Sequence, residues 1–328
     1  MGEEENRRSP DKNGCRPAPL ASYIFLHPAM RFLTSPLLLS AYLLLYCLVV
    51  MLIWRWRVNR RQERPPFPDK LLRAPGETLR RKLDDFDTAL GATLLGNALF
   101  PVIVLAAGYS AVALLPSRAS WLIPLTLVLA IAALVICSRR LMRVLEQRRN
   151  HYLGYFGERY AGEFIEQLRA RGCRVFHDVP AGEKNSPFNI DHVVAGRTGV
   201  FAIETKTRRK GRAAPGRADY KITFDGHRII YPWGADAHGL AQARDRALWL
   251  EHHLQTLLGA HRLRVTPVLT FPGWLVTQTN AAPLESPVCV LNPKQIPQHI
   301  ETQPASLTEA QVDLIARQLE ARCRDVEF

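Results

Sequence analysis

Three runs without Asp, Glu, Lys or Arg, at residues 36–54, 89–115 and 119–137, fill nearly half of the first 137 positions. About 20 apolar residues in a helix cross ~30 Å of hydrocarbon, so these runs predict three membrane spans. The first, PLLLSAYLLLYCLVVMLIW, is 19 residues long and ends in WRWRVNRR instead of the small residues of a signal-peptide cleavage site. It reads as an uncleaved anchor. The other two are separated only by Pro116, Ser117 and Arg118 and form a predicted helical hairpin. Pro101 should kink its first helix, and Gly91, Gly96 and Gly108 permit close packing. A single Asn97 in that helix is expected to hydrogen-bond to a neighbouring helix, so a transporter with a regulatory domain is the weaker reading.

Basic residues flank these runs. The loop 55–88 contains Arg55, Arg57, Arg60, Arg61 and Arg64 and a proline cluster, and SRRLMRVLEQRRN follows Cys137. Cationic segments stay on the cytoplasmic side, which puts loop 55–88 and everything after residue 138 inside and the N-terminus outside. The expected location is the inner, cytoplasmic membrane, with a multi-pass anchor and a cytoplasmic soluble half. Residues 1–33, rich in charge and proline, predict a disordered tail. The six cysteines are scattered with no CxxC pair, which excludes a zinc-site or disulfide framework and suits a reducing compartment. A net charge of +13 favours an anionic partner, either a phosphodiester backbone or an acidic leaflet.

The chain therefore divides into the tail 1–33, a membrane region 34–140, a soluble core 141–260 and a completing segment 261–328. From about Arg143 the pattern becomes helical and continues through YFGERYAGEFIEQLRARG, where Gly172 is the natural stop. Alternating runs at 174–179, 188–195 and 200–207 predict strands, the last two joined by the turn GRTG. A hairpin is expected over 219–231, a helix over 238–258, strands over 264–271 and 287–291, and a terminal helix over 307–323. Ser306 and Glu309 are the expected capping box of that last helix. Helices and strands mixed in this way give an α/β soluble half.

Chemistry concentrates in NIDHVVAGRTGVFAIETK, residues 189–206. Strand alternation sends Glu204 and Lys206 to one sheet face and Thr205 to the other, and pairing through GRTG brings Asp191 beside them. A plain ion pair on an exposed strand is the alternative for Glu204 and Lys206, but the apolar neighbours Val193, Val194, Val200, Phe201 and Ile203 mark a buried sheet. Two converging carboxylates repel unless a cation compensates them. Hard oxygen donors of this kind suit Mg²⁺ or Mn²⁺ better than zinc. Lys206 would then orient or deprotonate water and offset charge on the transition state. His192 alternates to the opposite face and reads as a packed, hydrogen-bonded histidine. His252 and His253 read as structural, and the aromatics Tyr220, Phe224, Tyr231 and Trp233 as cross-strand packing.

The spacing of Asp191, Glu204 and Lys206 is similar to the D...ExK core of the PD-(D/E)xK nuclease superfamily, and residues 151–260 resemble more closely its nuclease-related domain, NERD. Gly157, Glu158, Asp178, Ile190 to Val194 and Gly199 to Lys206 carry the likeness. That resemblance implies a restriction-endonuclease-like fold, a mixed central sheet flanked by helices. It also implies Glu158 as the further acidic residue, with Glu163 as its competitor, so that Glu158, Asp191 and Glu204 would hold the metal. Gln242 would touch phosphate or a water, or else lie on a solvated helix face. Arg208, Arg209, Lys210 and Arg212 would contact nucleic acid or form a solvated loop. The expected partners are nucleic acid, DNA ahead of RNA, and the bilayer through three spans. A non-catalytic tethered binding module of the same fold is the rival reading.

Overall fold

The computed structural model describes residues 41, 42, 44–57, 69–114, 121–183, 185–258, 263–279 and 288–327. The expected tail 1–33 and the turn at 116–118 lie outside them. The chain divides into two compact units, one holding residues 1–61 and 100–133, the other 62–99 and 134–328.

Residues 41, 42 and 44–57 are helical. Two further helices, α1 (Glu77–Leu114) and α2 (Leu122–Ile165), are long and apolar enough to cross a membrane. In the first unit their apolar side chains are largely exposed, among them Ile103, Leu127, Val128 and Ile131. Such a continuous apolar surface marks contact with lipid or another apolar partner. Gly108 lies against Thr126, where a Cβ would collide. In the second unit the Asn97 amide donates to Cys137 O at 3.2 Å, so this polar group is satisfied between helices, as its isolation in an apolar run suggested.

Loop 55–88 differs from expectation in its described part. Leu71–Leu72 (β1) pairs antiparallel with Arg324–Val326 (β11) at the end of the chain, and α1 begins at Glu77, twelve residues before the apolar run. Arg73 donates from Nε to Asp325 Oδ1 at 2.8 Å and from Nη1 to Asp178 Oδ2 at 3.1 Å, with only 10% of its side chain exposed. Charge that reads as a solvated basic loop is here neutralised inside the fold.

The second unit is built on a five-stranded mixed sheet in the order β10-β8-β4-β3-β2. Strands β2 (Arg174–Glu183), β3 (Ser186–Gly196) and β4 (Gly199–Thr205) are antiparallel neighbours, while β8 (Val265–Thr270) and β10 (Cys289–Leu291) run parallel to β4. Every residue of β4 is buried, because both faces are covered. Val200 and Ala202 pack on one face with Leu250 and Leu254 of α3 (His238–Leu258) and with Ile315 and Leu319 of α5 (Glu309–Cys323). Phe201 and Ile203 pack on the other with Ala161 and Ile165 of α2 and Ile300 of α4 (Ile296–Glu301). This is an α/β fold of mixed sheets flanked by helices.

A second sheet, β7-β6-β5-β9, holds the expected hairpin β5 (Lys221–Phe224) and β6 (Ile229–Tyr231), joined by β7 (Gly234–Asp236) and β9 (Leu275–Gln278). Helix α2 ends in a 3-10 turn, Glu166–Arg171, closed by Gly172 at φ 83°. The last helix corrects its expected cap. Ser306 N–H donates to Arg197 O, and Thr308 is the N-cap, with Gln311 completing the box instead of Glu309. Ser306 is spent on closing the preceding loop.

Candidate active site

The β3–β4 ladder stops at the pair His192↔Ile203. One residue further, the Asp191 carboxylate replaces the ladder by accepting Thr205 N–H at 2.7 Å. Alternation then puts Asp191, Glu204 and Lys206 on the α3 side of the sheet, as the sequence pattern predicted. Asp191 is 8% exposed and Glu204 2%. Lys206 Nζ lies 2.8 Å from Glu204 Oε1 and donates to Gln242 Oε1 at 2.5 Å. Gln242 therefore turns inward to the lysine, away from the solvated alternative.

One turn along α3 from Gln242 is Arg246, a residue the sequence reading passed over. Its Nη1 lies 3.3 Å from Asp191 Oδ1 and makes a closer ion pair with Glu204 Oε2. Glu204 Oε2 has no hydrogen bond of acceptable geometry, so the charge contact is its compensation. The signal was present as i, i+4 spacing from Gln242, but arginine on an amphipathic helix ordinarily faces water.

Glu158, on α2, lines a cleft of about 580 Å³ with Asp191, Asp178 and Arg246. Burial pushes its carboxyl well above the usual range, and the charges of Asp191 and Asp178 push it further. Burial likewise raises Asp191, against the pull of Arg246 and of the Thr205 N–H. Lys206 is lowered from the ordinary amine value, chiefly by burial. Glu163, the competing acid, lines a different pocket, with Glu77 and Arg159.

Gly157 lets α2 approach the end of β4. A Cβ there would collide with Thr207, next to Lys206. Gly157→Ala is expected to cost about 1–3 kcal/mol by overpacking, with a lower melting temperature. An unchanged melting temperature would show that the approach is not tight.

Asp178 stands opposite Asp191 on β2, at φ 48°, a conformation costly for most side chains but tolerated by Asp. It accepts Thr78 N–H at 2.7 Å, the Thr78 hydroxyl at 2.6 Å and the Asn189 amide at 2.8 Å. It thus caps α1 from another strand.

On the opposite sheet face, His192 is fully buried and far below its ordinary pKa, burial being the main cause and His177 the second. Its Nδ1 meets His177 Nδ1 at 2.8 Å, and its Nε2 lies 3.3 Å from Thr205 Oγ1. It is packed and hydrogen-bonded, away from the acids. His253 stacks on Trp249 and accepts from Arg322, a structural setting.

The cationic loop is only partly committed. Arg208 lies 3.5 Å from Asp236, Arg209 donates to Asn150 and to Arg149 O, and Lys210 sits over the Trp274 ring at 5.7 Å. Arg212 is exposed. Tyr231 stacks on Trp233 at 5.4 Å, and Phe224 is buried, both as hairpin packing.

Residues 153–272 match the nuclease-related domain, NERD. The match spans α2 from before Glu158 through β8 and takes in Asp191, Glu204, Lys206, Gln242 and Arg246. It extends the likeness read from 151–260 by the strand β8 that pairs with β4. Comparison with curated proteins gave no match, and neither did comparison with solved structures.

The matched segment brings two carboxylates of the expected set to one point, since Asp191 and Glu204 both contact Arg246 Nη1. A cation in the position of that nitrogen would meet two hard oxygen donors, which fits Mg²⁺ or Mn²⁺ provided that the guanidinium moves aside. Among the described residues, no three acids, imidazoles or thiols are gathered closely enough to share one ion as the side chains stand. Glu158 belongs to the cleft and to the electrostatics of the pair.

Glu158 and Asp191 have folded pKa values raised from the ordinary 4.5 and 3.8. Their contribution to stability is therefore fully present below those values and is lost as pH rises through the folded ones. A divalent cation held by these acids would offset that loss. The rise in melting temperature caused by Mn²⁺ should thus grow between pH 5 and pH 8. A pH-independent rise would sever the cation from these two acids.

Proposed function

We propose that the chain is a membrane-anchored, metal-dependent nuclease that hydrolyses phosphodiester bonds of nucleic acid, DNA ahead of RNA, with Mg²⁺ or Mn²⁺. The observation that carries this reading is the convergence of Asp191 and Glu204 on one positive position beside Lys206. Asp191 and Glu204 would hold the ion, with Glu158 as the further acid of the cleft. When bound, the ion supplies positive charge to phosphoryl oxygens where negative charge builds.

The side chains divide the remaining work. Lys206, its amine pKa lowered by burial, exchanges a proton with water more readily than an exposed lysine. Gln242 holds the amine through its Oε1. Asp191 is itself fixed by the Thr205 N–H, so its free oxygen keeps one direction. Arg246, if a metal took its place on the acids, would be free to pair with a phosphate oxygen, a task to which guanidinium is suited.

Two helices long and apolar enough to cross a membrane support the anchored placement, with the nuclease-related domain on the cytoplasmic side by the positive-inside rule. The test is cleavage of plasmid and linear DNA, and of RNA, by the full chain in detergent, with EDTA and with Mn²⁺ added back. Cleavage indifferent to EDTA would sink the metal-dependent reading.

One observation favours a second reading, a non-catalytic tethered binding module. Arg246 already balances the acid pair, so the site is electrostatically complete without a metal. Nucleic-acid binding with no turnover under any divalent cation would select it.

A further inference from the structure

The cleft that holds Glu158, Asp191 and Arg246 has a second wall, and that wall lies outside residues 153–272. It is the first two turns of α1, where Thr78, Lys82 and Asp85 recur at i, i+4 and i+7 and so share one helix face. The wall is fixed by Asp178, which caps α1, and by Arg73, which ties the preceding segment to Asp178 and Asp325.

The two cations on this wall differ. Arg81 is engaged, with Nε 2.9 Å from Glu77 Oε1 and Nη2 3.4 Å from Asp325 Oδ1. Lys82 is exposed and pairs with no carboxylate among the described residues. The Lys82 ammonium thus stands exposed at the mouth of a cleft floored by acids, with the exposed Asp85 three residues further along the same helix face. It suits an anionic polymer whose next phosphate lies a few ångströms from the one over the acids.

We propose that Lys82, with Arg81 beside it, is the phosphate-backbone handle of this site, supplied by the membrane-proximal helix and not by the nuclease-related domain itself. This rests on the reading of the site as one for nucleic acid. The segment between the first apolar run and the second is then part of the binding surface, and the domain's match by itself delimits an incomplete site.

The test uses the full chain in a zwitterionic detergent, so that lipid phosphates do not compete, and a fluorescent 30-base-pair duplex with EDTA present to prevent cleavage. Lys82→Glu should weaken binding about tenfold and lower the slope of log affinity against log salt by about one, as expected for one lost phosphate contact. The control is Lys294→Glu, the same charge change at an exposed lysine that is no part of the cleft, and it should bind as the unaltered chain does. Equal affinity for Lys82→Glu and the unaltered chain, equal losses in both variants, or no duplex binding at all would overturn the proposal. Cleavage is measured separately with Mn²⁺, so a chain that binds through Lys82 yet cuts nothing defeats the nuclease reading while leaving the handle in place.

Discussion

Asp191→Asn should reduce Mn²⁺-dependent cleavage by on the order of 10³-fold while leaving the melting temperature of the metal-free protein nearly unchanged. Both halves follow from where the side chain sits. One oxygen accepts the Thr205 N–H, which an amide oxygen can also do, so the end of the β3–β4 ladder survives. The other faces Arg246 Nη1, the position a cation would take, and there an amide contributes no charge. Losing a ligand that places a Lewis acid forfeits several kcal/mol of transition-state stabilisation. Asp191→Ala is the less informative variant, because it also leaves a buried N–H without an acceptor at a cost of about 1–3 kcal/mol. Single-turnover cleavage and thermal melting separate the two effects. Full activity in Asp191→Asn would remove this residue from the reaction.

The largest stability effect is expected at Arg73→Ala, which should cost about 3–5 kcal/mol, the range for stranding one partner of a buried ion pair. Arg73 and Asp178 are 10% and 4% exposed in their side chains, and Arg73 also reaches Asp325 through Nη2 at 2.6 Å. Burial already raises the Asp178 carboxyl, and Arg73 is among the groups that pull it back. Without the guanidinium its pKa rises further, so the cost should be greatest near neutral pH and should shrink as pH falls and Asp178 takes up a proton. Arg73→Lys keeps the charge but loses the two-pronged contact with Asp325, and should fall between the two. Chemical denaturation at pH 5 and pH 7.5 reads the difference. A cost that does not depend on pH would mean that packing, not charge, is what Arg73 supplies.

Local pattern carried much of the chemistry. In GVFAIETK, burial of Val200, Phe201, Ala202 and Ile203 combined with a two-residue period was enough to put Glu204 and Lys206 together, and GRTG was enough to fold Asp191 beside them. What stayed hidden depends on distance along the chain or on ambiguous residue types. Arg73 and Asp178 are 105 residues apart, and no local spacing links one to the other. Arg246 looks like any cation on a half-exposed helix. Strand β9 was missed because LVTQ is short and half-exposed, with no clean alternation. The start of α1 at Glu77 was masked by a basic composition that reads as a loop, although Glu77 itself is buried against Arg80 and Arg81.

The two facing imidazoles behind β4 impose a rule on proton traffic. Glu166 Oε1, 2.6 Å from His177 Nε2, keeps a hydrogen on that nitrogen. Between the two Nδ1 atoms there is space for one hydrogen only. If His192 owns it, the Thr205 hydroxyl must donate to His192 Nε2; if His177 owns it, His192 Nε2 carries the hydrogen and the hydroxyl must accept. A change of owner for the shared hydrogen therefore reverses the two bonds on the His192 side while the Glu166–His177 bond keeps its sense, and the rotor it turns last belongs to the residue whose amide grips Asp191.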